Sequence, residues 1–191
     1  MRILLSLLIL FFTTSAYADG FFGIPVGTDI SALPLKDNQV EGDPSMYLVG
    51  VPEPIGYFDS YTAVGTKTTG VCAVGAQSIS FKDDRAGRKI LNYITTVIPD
   101  LETKLGKFYY VNQQESSDMN TLSLVIDFDL EKPISDMLQS SLGMLSTDVA
   151  AADGVQRANA YLYKEIDTTT FYLDILYDNF EGCSDVMGLS N

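Results

Sequence analysis

The chain contains no histidine and no tryptophan. Without histidine there is no Ser-His or Cys-His catalytic pair and no imidazole metal ligand. Phosphate-binding and nucleophile signatures are missing too: no GxxxxGK[ST], no GxGxxG and no GxSxG occurs. There is no CxxC, so a thioredoxin-like redox role has no support. No cysteine lies near the expected leader cleavage point, which argues against a lipid anchor, and no N-x-S/T acceptor occurs, which is compatible with a bacterial source. Positive charge is scarce, with 12 Lys and Arg against 25 Asp and Glu. So acidic a surface repels nucleic-acid phosphates and anionic lipid heads; it favours basic proteins, cations or simple solubility. An apolar fraction of 46% is too high for disorder.

Long apolar runs are equally scarce. One occurs, from Ile3 to Phe12, broken only by Ser6. It is too short for a membrane span, which needs ~20 residues. Arg2 precedes it, and Ala16-Tyr17-Ala18 follows as an A-x-A cleavage signal. Charged start, apolar middle and small-residue exit predict a secretory signal peptide over residues 1–18; an uncleaved N-terminal anchor is the competing reading. Cleavage would leave 173 residues, enough for one domain with a real core. It would also remove one base and no acid, moving the net charge from −13 to −14. The expected location is periplasmic or secreted in a bacterial envelope, with no membrane anchor after cleavage.

Cys72 and Cys183 are the two cysteines. In an exported chain an even count predicts a disulfide, here across 110 intervening residues; two free thiols are the alternative.

Five of the seven prolines (Pro25, Pro34, Pro44, Pro52 and Pro54) fall in residues 19–56. Proline disfavours long helices and central strands, so this stretch reads as an extended arm, with Phe21, Phe22, Ile24 and Val26 able to pack on a body. A hairpin follows, residues 57–64 and 71–81 around a glycine-bounded turn. Asp83 and Asp84 are placed to open a helix. Ile90, Ile94, Val97, Leu101 and Leu105 form its apolar stripe; Pro99 is expected to kink or split it, and Gly106 to end it. Alternation from Leu122 to Glu131 predicts a strand. Pro133, Ile134, Met137, Leu138, Leu142 and Leu145 suggest a second helix. Residues 158–166 and 170–177 read as a second hairpin, with Phe171, Leu173, Ile175 and Tyr177 inward. The expected fold is therefore α+β: a mainly antiparallel sheet of about five strands in the order ββαβαββ, with helices on one face. It would occupy residues 57–191 as one domain behind the arm.

Three constellations bear chemistry. Asp127, Asp129 and Glu131 alternate onto one strand face, roughly 7 Å apart. Such a row can bind a hard cation or serve glycoside hydrolysis, or be a solvated sheet face. No EF-hand spacing supports calcium, and no metal or other cofactor is predicted. Tyr161 and Tyr163 share a strand face, with Tyr172 on the partner strand. They form an aromatic contact surface, ordinary cross-strand pairs, or a group buried beneath Phe21 and Phe22. Lys82, Arg85, Arg88 and Lys89 are the densest basic cluster, an anion site at a helix start or simple partners for Asp83 and Asp84.

The expectation is an exported, soluble, non-enzymatic binding protein of the cell envelope, in its concrete form an acidic inhibitor or immunity-like protein for a basic partner. A histidine-free hydrolase using carboxylates on glycans, and a structural envelope component, are the alternatives.

Overall fold

The computed structural model describes residues 20–36, 46–82, 88–112, 123–125, 143–147, 154–164 and 168–184. Nine strands form one antiparallel sheet there: β1 (Met46–Val49), β2 (Ser60–Thr66), β3 (Gly70–Gln77), β4 (Phe81–Lys82), β5 (Tyr109–Asn112), β6 (Ser123–Val125), β7 (Gly143–Ser146), β8 (Val155–Lys164) and β9 (Thr168–Tyr177). Their spatial order is β1-β2-β3-β9-β8-β7-β5-β6, with β4 beside β9. One long helix, α1 (Arg88–Leu105), separates β4 from β5. The fold is α+β and mostly sheet, with more strands than the five expected.

β9 is central because it is the last strand and joins two halves. It pairs with β3 on one side and β8 on the other. Its alternation explains its stability in that position: Phe171, Leu173, Ile175 and Tyr177 are all buried on one face. Ala63, Val74, Ala158 and Ala160 sit on the same face of the neighbouring strands, small enough to admit α1. α1 buries Ile90, Ile94, Val97, Ile98, Leu101 and Leu105 there, the expected stripe with Ile98 added.

Pro99 does not split the helix, which runs from Arg88 to Leu105. Proline removes the bond to the carbonyl of Thr95, and Thr95 is exposed, so water can solvate that carbonyl. Buried Val97, Ile98 and Leu101 hold both halves of the helix on the sheet. Gly106 ends it as expected, at φ 87° with its N–H donating to the Glu102 carbonyl.

The proline-rich segment fills the other end of this core. Phe21, Phe22 and Ile24 are buried. Phe22 meets Phe21, Phe58 and Tyr61 edge to face, and this aromatic nest holds its backbone at φ 60°, unusual for a side chain with Cβ. The Tyr177 hydroxyl donates to the Ile24 carbonyl at 2.7 Å. The segment also contributes β1 at the sheet edge, a strand the proline pattern obscured. Leu35 bridges Val49, and Lys36 N–H donates to the Leu48 carbonyl, so the segment covers part of its own exposed edge.

The remaining differences are local. Leu145 lies in β7, not at the end of a helix, and pairs with Tyr110 and Ala160. Leu142 and Leu145 are three residues apart, a spacing that favours a helix on paper, but β5 and β8 offer two open ladders to residues 143–146. β5 itself is an aromatic and β-branched run of the kind strands favour. The expected helix caps at Asp83 and Asp84 lie outside the described residues, as do residues 133–142 of the expected second helix.

The opposite face carries a second, smaller cluster. Val64 and Ala73 are buried with Cys72 and Cys183, with Met46, Leu176 and Phe180 packed around them. Cys72 and Cys183 form a disulfide with Cα atoms 6.3 Å apart. It pins a single helical turn, Glu181–Ser184, against this face. Helical structure therefore lies on both faces of the sheet, not on one as expected. The cause is the disulfide: it holds the segment after β9 on the face that α1 leaves uncovered.

Candidate functional site

The strand ladders put one row of residues across the face opposite α1: Thr62, Gly75, Asp174, Asn159 and Ser146, from β2, β3, β9, β8 and β7 in turn. The next row holds Ser60, Gln77, Tyr172 and Tyr161, and beyond it Tyr163 pairs with Thr170. Each side chain points outward because its neighbours in sequence point into the core: Ala158, Ala160 and Leu162 on β8, and Phe171, Leu173 and Ile175 on β9.

The three tyrosines named from the sequence come together here. Tyr161 and Tyr172 are a cross-strand pair with stacked rings, centroids 5.3 Å apart and planes 7° apart. Tyr163 lies across from Tyr172 at 6.4 Å and 88°. Phe21 and Phe22 belong to the other face, so the tyrosines are not beneath the arm. Tyr163 is 54% exposed, and Ile79, at 58%, follows Ser78 near the same end of β9. Ser80 in that loop meets Thr170 hydroxyl to hydroxyl at 3.0 Å.

Asp174 is the residue that the sequence reading missed. It is a carboxyl in the central strand, partly buried, and the Tyr161 hydroxyl donates to it. Burial is the main cause that pushes its pKa from 3.8 up to about 6; the Tyr161 hydrogen bond acts the other way and is the weaker effect. Burial, with Asp174 as the neighbouring charge, pushes the Tyr161 phenol well above its ordinary value. Among the described residues no lysine or arginine forms an ion pair with Asp174; the one ion pair described joins Lys107 to Glu102. Gly75 shapes the space beside it. A Cβ there would stand 2.5 Å from Thr62 Oγ1 and 3.2 Å from Asp174 Oδ1, so glycine lets these two polar groups lean over the β3 backbone. On the other side Asn159 accepts from the Ser146 hydroxyl at 2.8 Å, a bond that fixes the Asn159 amide. The available signal was alternation: Asp174 lies between Leu173 and Ile175, both inward, and so had to face Tyr161 and Tyr172.

Other expected residues fall elsewhere. Lys82 ends β4, and Arg88 and Lys89 begin α1; all three are exposed, and Lys89 Nζ donates to the Lys82 carbonyl at 3.0 Å. Arg85, Asp127, Asp129 and Glu131 lie outside the described residues. The strand preceding those three acids, β6, sits at the far edge of the sheet, separated from β8 by β7 and β5. Among the described residues no group of three or more His, Cys, Asp or Glu is placed to hold a metal ion, and no helix is long and apolar enough to cross a membrane. The Cys72–Cys183 disulfide is consistent with an oxidising, exported compartment.

No protein-family model, no curated protein and no solved structure matches this chain.

Proposed function

We propose that this is an exported, non-enzymatic binding protein of the bacterial envelope that uses the outer face of β8 and β9 to hold a basic protein. The observation that carries the reading is the union, on two rigid central strands, of a 54%-exposed tyrosine, a stacked tyrosine pair and a carboxyl with no cationic partner among the described residues. Tyrosine gives large rigid contact area with a polar tip, at little entropic cost. The acidic balance of the chain, 25 acids to 12 bases, would draw a basic partner to this surface and speed its encounter. Export is supported by the leader-like residues 1–18 and by the disulfide. The inhibitor or immunity-like form of the proposal fits the charge without being implied by it: a protein that neutralises a basic enzyme gains by opposing its sign.

The test is site-specific photo-crosslinking in envelope extracts. A photoreactive phenylalanine at position 163 should capture a basic protein at low salt and lose it above about 0.5 M salt, where the screening length falls well below ~10 Å. The same group at exposed Lys104 on α1 should not capture it. Equal capture from both positions, or none from position 163, would refute the reading.

A further inference from the structure

We propose that Asp174, with the Tyr161–Tyr172 pair beside it, is the seat of an arginine side chain supplied by the partner. This inference rests on the outer face being the binding surface and adds the chemical identity of what docks there.

Asp174 has no charged cross-strand neighbour. Its cross-strand neighbours are Gly75 and Asn159, both neutral. Along its own strand the outward positions are Tyr172 and Leu176, and Tyr161 is diagonal on β8. Arg157 shares this face but is paired in register with Leu176 and forms no ion pair with Asp174 among the described interactions. A desolvated carboxylate without a counter-ion is costly, and the raised pKa expresses that cost. A carboxylate has about four acceptor positions, and Tyr161 occupies one. What the site lacks is positive charge with several donors.

Arginine fits better than lysine. Its guanidinium is flat, forks onto a carboxylate and stacks on aromatic rings, whereas an ammonium is a compact and strongly hydrated point charge. Rows on this face repeat about every 7 Å along the strand. An arginine stem lying over Tyr172 therefore delivers its guanidinium to Asp174 one row away, and the adjoining partner residues meet exposed Tyr163 in the row before. The methylene stem packs on the aromatic face while the charged head reaches the carboxylate.

The test uses the oxidised full chain and N-acetyl-arginine methylamide as the probe, followed by backbone amide and carboxyl NMR. The probe should shift the signals of Asn159, Tyr161, Tyr172 and Asp174, and the neutral citrulline analogue should shift none of them. Asp174→Asn should weaken the probe about tenfold or more, as removal of one member of a charge-assisted pair does. The lysine analogue should bind several-fold more weakly. In the unaltered chain, saturating probe should lower the pH at which the Asp174 carboxyl titrates, a readout that needs no variant. Citrulline shifts equal to those of arginine, undiminished binding to Asp174→Asn, or an unmoved carboxyl titration would overturn the proposal. Photo-capture from position 163 separates the two levels: capture that persists in Asp174→Asn without arginine binding removes only the arginine seat, and absent capture removes the binding face itself.

Discussion

Replacing Asp174 by asparagine should stabilise the protein at neutral pH and leave it unchanged in acid. Asparagine keeps the shape and can still accept from the Tyr161 hydroxyl, but it carries no charge to desolvate. The carboxyl titrates at about 6 in the fold against 3.8 ordinarily. Between those values the folded state holds the proton more tightly than the unfolded chain. The stabilising contribution of the protonated carboxyl is therefore fully present below about pH 3.8 and is lost as pH rises through about 6. The gap corresponds to about 3 kcal/mol at neutral pH, taken as an upper figure for a partly buried group. For a chain of this size that is about 6–12 °C in Tm. Urea unfolding followed by tyrosine fluorescence, which no tryptophan masks, measures both proteins from pH 4 to 8 with the disulfide intact. Asp174→Asn should gain stability over the parent at pH 7.5, and the gain should vanish near pH 4. The comparison cancels the carboxylates that act in the opposite direction, such as Asp29, whose pKa is lowered by the Ser31 hydroxyl and backbone N–H. Equal stability at pH 7.5, or a gain that persists unchanged in acid, would refute the assignment of Asp174 as a desolvated carboxyl. A gain in stability joined to a loss of arginine binding would identify it as a residue kept for recognition at the expense of the fold.

Two further outcomes concern the scaffold. Breaking the Cys72–Cys183 bond by paired alanine substitution should cost as much as about 4–5 kcal/mol, since it closes a loop of sequence separation 111; a urea midpoint unchanged by the substitution would contradict this. Tyr177→Phe should cost about 1–3 kcal/mol by removing the buried donor to the Ile24 carbonyl, and should speed trypsin cleavage at the already exposed Lys36 by loosening the N-terminal segment; an unaltered cleavage rate there would show that the segment is held by packing alone.

Much of this architecture is visible in local pattern. The α1 stripe from Ile90 to Leu105 and both hairpins follow from periodicity, because one side of each element must face apolar neighbours. The cysteine pairing follows from number and compartment. The edge strand at residues 46–49 and the strand at residues 143–146 did not follow, because short strands are stabilised by ladders to distant residues more than by their own composition. The split offered as one outcome at Pro99 is absent for the converse reason: its penalty is a local property, but burial of the residues around it keeps the helix continuous.

The site divides in the same way. Alternation of period two depends on the backbone alone, so sequence was enough to put Tyr161, Tyr163 and Tyr172 on adjacent strands; the same alternation, overlooked for Asp174, turns that carboxyl away from the core. Only the tertiary structure decided that β9 is the central strand between β3 and β8, that Gly75 lies beside Asp174, and that α1 occupies the other face. Burial of a carboxyl is set by what stands on either side of it across the sheet. Those neighbours come from β3 and β8, and from a strand order that no local pattern encodes.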